Sequence, residues 1–270
     1  MTKETEPKSK SEIFIEVDAP IEKVWKALTE AEGIANWFSP IAKVSSPGLN
    51  GEVTAAWSDE MAFTTRVGVW EPNRHVQWLA EDMMGPGITL ATDFHLETVG
   101  GKTRIRLVQS GFGEFDGWDD FFESTDTGWK YFLLNLRLYL ETYLGRTRHM
   151  ISERIQVNAP RDAAWKHFVS AVTGVALAAS SGVAPGSRAR LAFEGGPTAN
   201  GVVQLVVVGK GLAIQLPELD SVLFIELEGS SPEKFHTGWW LSVYDADRAK
   251  QLEASAKRTF QRVHQTLSVK

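Results

Sequence analysis

Val17-Asp18-Ala19-Pro20, followed by Trp25-Lys26, decides the fold because the chain writes it twice. Val157-Asn158-Ala159-Pro160 is followed by Trp165-Lys166, and each residue lies 140 positions after its counterpart. Ser11-Glu12 and Ser152-Glu153 open the two stretches at an offset of 141. A match that runs through the Trp-Lys pair reads as a duplicated domain. The expected division is a polar tail at 1–10, a first domain at 11–147 and a second, diverged copy at 148–270.

Working outward, Ile13, Ile15 and Val17 alternate with mostly polar neighbours, as in a half-buried strand. Pro20 stands where a first helical turn tolerates proline. Ile21, Val24, Trp25 and Leu28 recur at helical spacing, and Ile34, Trp37 and Phe38 suggest a short second helix. Strands follow, separated by turn signals at Pro47-Gly48, Asn50-Gly51, Ser58-Asp59, Pro72-Asn73, Gly85-Pro86-Gly87 and Gly100-Gly101. Exposed Arg66, Arg104 and Arg106 set the parity of their strands. Phe63, Thr65, Val67 and Val69 then face inward, as do Ile105 and Leu107; Val53, Ala55 and Trp57 share a face, as do Val76 and Trp78, and Leu90, Thr92, Phe94 and Leu96. A long last helix carries the stripe Trp118, Phe122, Thr125, Trp129, Phe132, Leu136, Tyr139 and Tyr143. Asp116 is its expected N-cap, and Asp119, Asp120 and Glu123 favour its N-terminus. One strand, two short helices, six strands and a long helix is the order expected.

The second copy is plainer. Strands are expected at Ile151–Val157, Arg188–Glu194, Gly201–Val208, Leu212–Leu216, Ser221–Leu227 and Phe235–Tyr244, with helices at Arg161–Phe168 and Ala246–Leu267. Small residues at Ala176–Ser181 replace Trp37-Phe38. The aliphatic run Val202–Val208 reads as a strand buried on both faces.

Composition narrows the function. The 270 residues carry 28 Lys+Arg against 34 Asp+Glu, a formal charge of −6, which excludes the basic face a nucleic-acid binder needs. With no cysteine, disulfides, thiolate nucleophiles and Cys-based zinc sites are ruled out. No run of about 18 apolar residues exists to span a membrane, and the polar first ten residues are unlike a secretory leader. A cytoplasmic protein with no membrane partner is the expectation; the oligomeric state is not legible.

Several motifs complete a resemblance. Val17-Asp18-Ala19-Pro20 with Val24-Trp25, Ala27-Leu28-Thr29 and Trp37, then Gly68-Val69 with Glu71-Pro72, Gly100-Gly101-Lys102-Thr103-Arg104, Gly111-Phe112 and Gly128-Trp129 with Leu133, Leu136 and Leu140-Glu141, resemble the activator of heat-shock protein 90 ATPase homologue-like domains of the START-like (SRPBCC) superfamily. The resemblance covers about residues 11–145 well and the second copy weakly. It implies an α+β fold of tandem helix-grip domains, each a curved antiparallel sheet gripping a long C-terminal helix, with a deep cavity between them. It implies no single chemistry, since the superfamily includes binders of lipids, hormones and polyketides as well as cyclases.

The residues themselves offer little catalysis. There is no Gly-x-Ser-x-Gly elbow, P-loop or His-Glu-x-x-His helix. Gly111-Phe112-Gly113 lacks the continuation of a dinucleotide fingerprint, so no cofactor is expected. Strand parity puts His75 and His95 on the face opposite the aromatic one, where a metal or acid/base role is the lesser reading. No metal and no catalytic residue is assigned; His149 is placed in the linker and His264 at a solvated helix position. The tryptophans point elsewhere: seven of ten fall in the first half of the chain. Trp57, Phe63, Val67, Trp78, Phe94, Ile105, Phe122, Trp129 and Phe132 are the candidate ligand wall, and Thr65, Thr92 and Thr125 the polar anchors. Met83-Met84-Gly85-Pro86-Gly87 and Gly111–Gly113 are placed to gate a mouth.

The leading expectation is a non-catalytic binder of a small hydrophobic or aromatic molecule, held in the first domain while the second supports. A polyketide cyclase or aromatase-like enzyme, acting by orientation, is the alternative. A co-regulator of a chaperone ATPase is the third reading.

Overall fold

Pro20 and Pro160 do the same work in the two copies. Their φ values of −60° and −56° with extended ψ put each immediately before a helix, α1 (Ile21–Thr29) and α4 (Arg161–Thr173). The missing N–H of proline costs nothing at a helix start, where that donor has no intrahelical partner. The computed structural model describes residues 10–58, 60–83, 85–111, 118–174, 182–229 and 231–267, without the side chains of 118–121, 123 and 124. The chain divides into two compact units, Met1–Gly145 and Arg146–Lys270.

In the first unit β1 (Lys10–Val17) precedes α1 and the short α2 (Ala31–Ala35). Strands β2 (Ile41–Val44), β3 (Glu52–Ala56), β4 (Ala62–Glu71), β5 (His75–Glu81), β6 (Thr89–Val99) and β7 (Lys102–Ser110) follow, and α3 (Trp118–Leu138) ends in a π turn at Tyr139–Tyr143. The sheet is antiparallel throughout, in the order β1-β7-β6-β5-β4-β3-β2. Alternation holds across most of it: Val53, Val76, Phe94, Leu96, Ile105 and Leu107 are buried. The opposite face is charged, with Arg104 on both Glu16 and Glu97 at 2.9 Å, Arg106 on Glu12 and Arg66 on Glu81.

One parity expectation fails. The β4–β5 register shifts between Val67 and Val69, so Val69 pairs with Gln77 and Trp70 with buried Val76. The bulge turns Trp70 inward, where its ring meets Trp25 edge-on at 5.0 Å, and takes Val69 off the inner face. Its cause is visible at Gly68, where a Cβ would fall 2.5 Å from Gln77 Oε1 and 2.6 Å from Leu79 Cδ1. An extra residue inserted in one strand reverses the facing of all that follow.

Among the described residues the second unit repeats the plan with one strand fewer: β8 (His149–Asn158), α4, β9 (Arg188–Ala192), β10 (Thr198–Val207), β11 (Gly211–Leu216), β12 (Ser221–Glu228), β13 (Lys234–Val243) and α5 (Ala246–Leu267). Its order is β8-β13-β12-β11-β10-β9. The helix α4 runs to Thr173, past the expected Phe168, until Gly174 caps it in the left-handed region at φ 69°. The stripe Leu252, Ala256, Phe260 and Val263 of α5 is buried on a core containing Trp165, Phe168, Trp239 and Leu241. The expected both-face burial of Val202–Val208 is not found: Val202 is 36% and Val208 59% exposed. That strand lies next to the sheet edge, and the doubly buried strand is β12, whose Val222, Leu223, Phe224 and Ile225 are all closed to solvent.

The expected N-cap Asp116, the helix-start acids Asp119, Asp120 and Glu123, the Trp118 ring, Met84, residues 112–113 of the Gly111–Gly113 loop and the small residues at 176–181 lie outside the described residues or side chains.

Candidate functional site

The inner face of the first sheet is floored by aliphatic side chains. At one end Val17 is buried beside β7, and Thr103 Oγ1 donates to the Ala19 carbonyl at 2.7 Å, tying β7 to the turn before α1. Next come Ile15, Ile105 and Leu96 in register, so Ile105 stands at this closed end. One row further, Phe94 pairs with both Leu107 and Val76.

Above these the face becomes aromatic, and its hub is Phe38. Its ring lies 5.4 Å from Trp129, stacked within 4°, 4.6 Å from Phe132, 5.3 Å from Trp57, 5.7 Å from Trp78 and 6.3 Å from Phe63. Phe94 joins the set through Trp78 at 5.0 Å and Trp129 at 5.7 Å. Six of the expected wall residues (Trp57, Phe63, Trp78, Phe94, Trp129 and Phe132) thus form one ring network. Of these, Trp78, Phe94 and Trp129 are buried, while Trp57, Phe63 and Phe132 are half-buried and mark the accessible side. Phe122 and Val67 are buried, and Thr125 is half-buried. The rings touch one another, so this face is covered by its own side chains.

Phe38 was not among the expected wall residues. The helical spacing of Ile34, Trp37 and Phe38 was legible, but α2 stops at Ala35 and the chain's turn after it delivers Phe38 to the hub. Trp37 is fixed beside it, its Nε1–H donating to the Ala27 carbonyl at 2.8 Å.

A polar row crosses the same face. Trp78 pairs with Thr92, Thr92 with Gln109, and Gln109 with Ser11. All four are buried. Gln109 Nε2 donates to Thr92 Oγ1 at 3.4 Å, and Ser11 Oγ donates to Asp126 Oδ1 at 2.9 Å, with Lys130 on the other carboxylate oxygen at 2.6 Å. Among the described residues the Trp78 indole N–H and the Gln109 Oε1 have no hydrogen-bond partner. Of the expected anchors, Thr92 belongs to this row, whereas Thr65 Oγ1 is engaged by the Val53 carbonyl at 3.3 Å. Gln109 was missed, although it continues the inward parity of Ile105 and Leu107. A buried donor and acceptor left open together represent an unmet demand of about 1–3 kcal/mol each.

The histidines divide. His75 and His95 face each other across β5 and β6 on the outer side of the sheet, with rings stacked at 4.1 Å and His75 Nε2 2.6 Å from Asp93 Oδ1. Burial holds His95 below the usual histidine range, with the His75 and Arg106 charges adding to the effect. His149 lies in no linker: it opens β8 opposite Val243. His264 is not solvated either. It is buried, its Nδ1–H donates to the Phe260 carbonyl at 2.6 Å, and its Nε2 meets the Thr237 hydroxyl. Most residues of α5 around this position are polar, and only packing against β13 reveals the histidine as core. Burial lowers its pKa, which the Phe260 carbonyl partly opposes. Elsewhere in the second unit, burial first and the neighbouring Glu228 charge second push Glu226 up to about 8.

Comparison with known proteins finds a family match within the first unit. Residues 18–141, the greater part of the first unit, match the family described as Activator of Hsp90 ATPase homolog 1-like protein. The chain as a whole is a tandem of two α+β units, each an antiparallel sheet with a long C-terminal helix. Solved structures similar to it include the Aha1 dimer of Colwellia psychrerythraea, at 28% identity and TM-score 0.42 over 50% of this chain and 98% of that one. DynU16, of the dynemicin biosynthetic locus, is 19% identical with TM-score 0.44 over 97% of this chain and 98% of its own. The di-domain ARO/CYC protein BexL, of the BE-7585A biosynthetic pathway, is 16% identical with TM-score 0.44 over 96% and 94%. No curated protein matches the chain. Among the described residues no helix is long and apolar enough to cross a membrane.

Proposed function

We propose that the first domain binds a small aromatic molecule bearing a hydroxyl group, without covalent chemistry, and that the second domain supports it. The observation that carries this reading is the pair of open polar atoms, Trp78 Nε1–H and Gln109 Oε1, buried in one register row beneath the Phe38 ring network. A hydroxyl both accepts and donates, so hydroxyl groups on the ligand can answer either demand. The flanking rings give the ligand body stacked and edge-on partners. Entry is from the side of half-buried Trp57, Phe63 and Phe132, the side to which Gly111 leads. At Gly111, φ is 91° and a Cβ would lie 2.0 Å from the Thr89 carbonyl.

Tryptophan emission, titrated with a panel of phenols, naphthols and saturated fatty acids, tests the proposal. Phenols or naphthols should quench and saturate, and Gln109→Leu should weaken them by about tenfold, the worth of one buried hydrogen bond. A panel without saturable quenching, or equal binding by Gln109→Leu, overturns the reading.

A further inference from the structure

The outer face of the same sheet holds a cluster that the binding proposal leaves unused. In an antiparallel pair, a residue and the one directly opposite have Cβ atoms about 4.5–5.5 Å apart, and a residue two positions along either strand shares their face. His75 and His95 are such a directly opposed pair, and Asp93 is two positions before His95. Three different side chains thereby converge on one point: their ligating atoms all lie within 4.8 Å of one another. Side-chain exposures of 18% for His75 and 13% for Asp93 leave the cluster reachable but partly dry.

We propose that His75, Asp93 and His95 form a binding site for a divalent transition metal, zinc(II) in the first instance, on the outer face of the first domain's sheet. The donor set suits it: two imidazoles and one carboxylate favour zinc, nickel or copper over magnesium or calcium, which take oxygen. Bonds of about 2.1 Å at tetrahedral angles require donors about 3.4 Å apart. The present spacing reaches that arrangement by side-chain rotation on a backbone already in register.

The surroundings support it. Gln77 Nε2 donates to Asp93 Oδ1 at 2.9 Å, holding the carboxylate in orientation as outer-shell partners of metal sites do. Glu71 is the register partner of His75 and adds negative charge. Arg106, opposite His95, is the one cation in this row, and its guanidinium is held by Glu12. Three protein ligands leave a fourth position for water or for a group from solvent. Such an ion would staple β5 to β6 and stabilise the folded domain in proportion to its occupancy.

The test uses the full chain, free of any affinity tag and stripped with a chelator, titrated with zinc chloride by calorimetry and with cobalt(II) by visible absorption. One equivalent should bind with micromolar or tighter affinity, cobalt should show ligand-field bands of a nitrogen-oxygen site, and zinc should raise the unfolding temperature. His95→Ala should abolish the bands and the zinc-dependent shift, and Gln77→Ala should weaken zinc about tenfold or more. Asp93→Asn, nearly isosteric, serves if His95→Ala fails to fold by circular dichroism, and should lose the same signals. No binding by the native chain at 100-fold excess of zinc over protein overturns the proposal. So does binding of equal affinity in folded His95→Ala or Asp93→Asn, which would place the ion on the other histidines. Phenol or naphthol binding is read on the opposite face, so either result stands without the other.

Discussion

The two copies of the domain use aromatic side chains in opposite ways. In the first, Phe38 gathers Trp57, Phe63, Trp78, Trp129 and Phe132 into a network with half-buried members on one side. A polar row beneath it has open hydrogen-bonding atoms. In the second, Trp239 and Phe260 meet at 4.8 Å, and Phe168 lies 4.9 Å from His264, all four buried. The His264 ring is bonded at both nitrogens, while the buried Trp165 and Trp239 indole N–H groups find no hydrogen-bond partner among the described residues. The contrast between the copies therefore lies in ring exposure: the first network has half-buried members, and these second-unit rings are close-packed and buried.

The sharpest way to break the contrast is truncation of a core ring. Trp239→Ala should cost about 3–5 kcal/mol in denaturant unfolding, a large-to-small core change, and leave naphthol or phenol binding intact. Loss of binding in a folded Trp239→Ala protein would erase the proposed division of labour.

Next in size is the pH dependence of the second unit. Glu226 has a folded pKa of about 8 against an ordinary 4.5, so the folded state holds the proton more tightly. That contribution is whole below about 4.5 and is lost as pH rises through about 8. His264 works the other way. Its folded pKa is lowered, so its contribution is present above the ordinary histidine value and lost as pH falls through the folded one. Glu226→Gln should flatten the alkaline fall in unfolding midpoint, and His264→Gln the acid one. A midpoint profile unchanged by either variant would show that these groups are not the buried titrating centres of this unit.

Trp129→Ala should weaken the phenol or naphthol that binds by about 10–100-fold, as for a central aromatic contact, and Phe38→Ala should do at least as much. Calorimetric titration decides it; unchanged affinity in both would move the ligand off this face. The smallest effect belongs to the charged exterior. Arg104 is paired with Glu16 and Glu97 in water, so Arg104→Gln should leave the unfolding midpoint and ligand affinity unchanged. A clear drop in either would mean that the exterior ion pairs are coupled to the core.

Much of this was legible without coordinates. The duplicated Ala-Pro and Trp-Lys pattern announces two copies, and the two helices do begin immediately after Pro20 and Pro160. Strand alternation set the inner faces, because side chains in a strand have no choice but to alternate. The aromatic wall came from that parity together with the stripe of α3. What the pattern could not supply was any fact that depends on register or on what covers a surface. The bulge at Gly68 exchanges Val69 for Trp70, and periodicity has no term for an inserted residue. Phe38 reaches its hub through a turn beyond a helix end. His264 carries a polar residue's pattern into a core, and Val202–Val208 carries a core residue's pattern toward a sheet edge. His75, Asp93 and His95 were readable as neighbours in parity, but only the strand pairing makes them one cluster. Along an uninterrupted strand or helix, local sequence determines which way a side chain faces, since that follows from the regular backbone geometry. Only the tertiary structure decides which facing side chains meet, since that is settled by strands and helices distant in the chain.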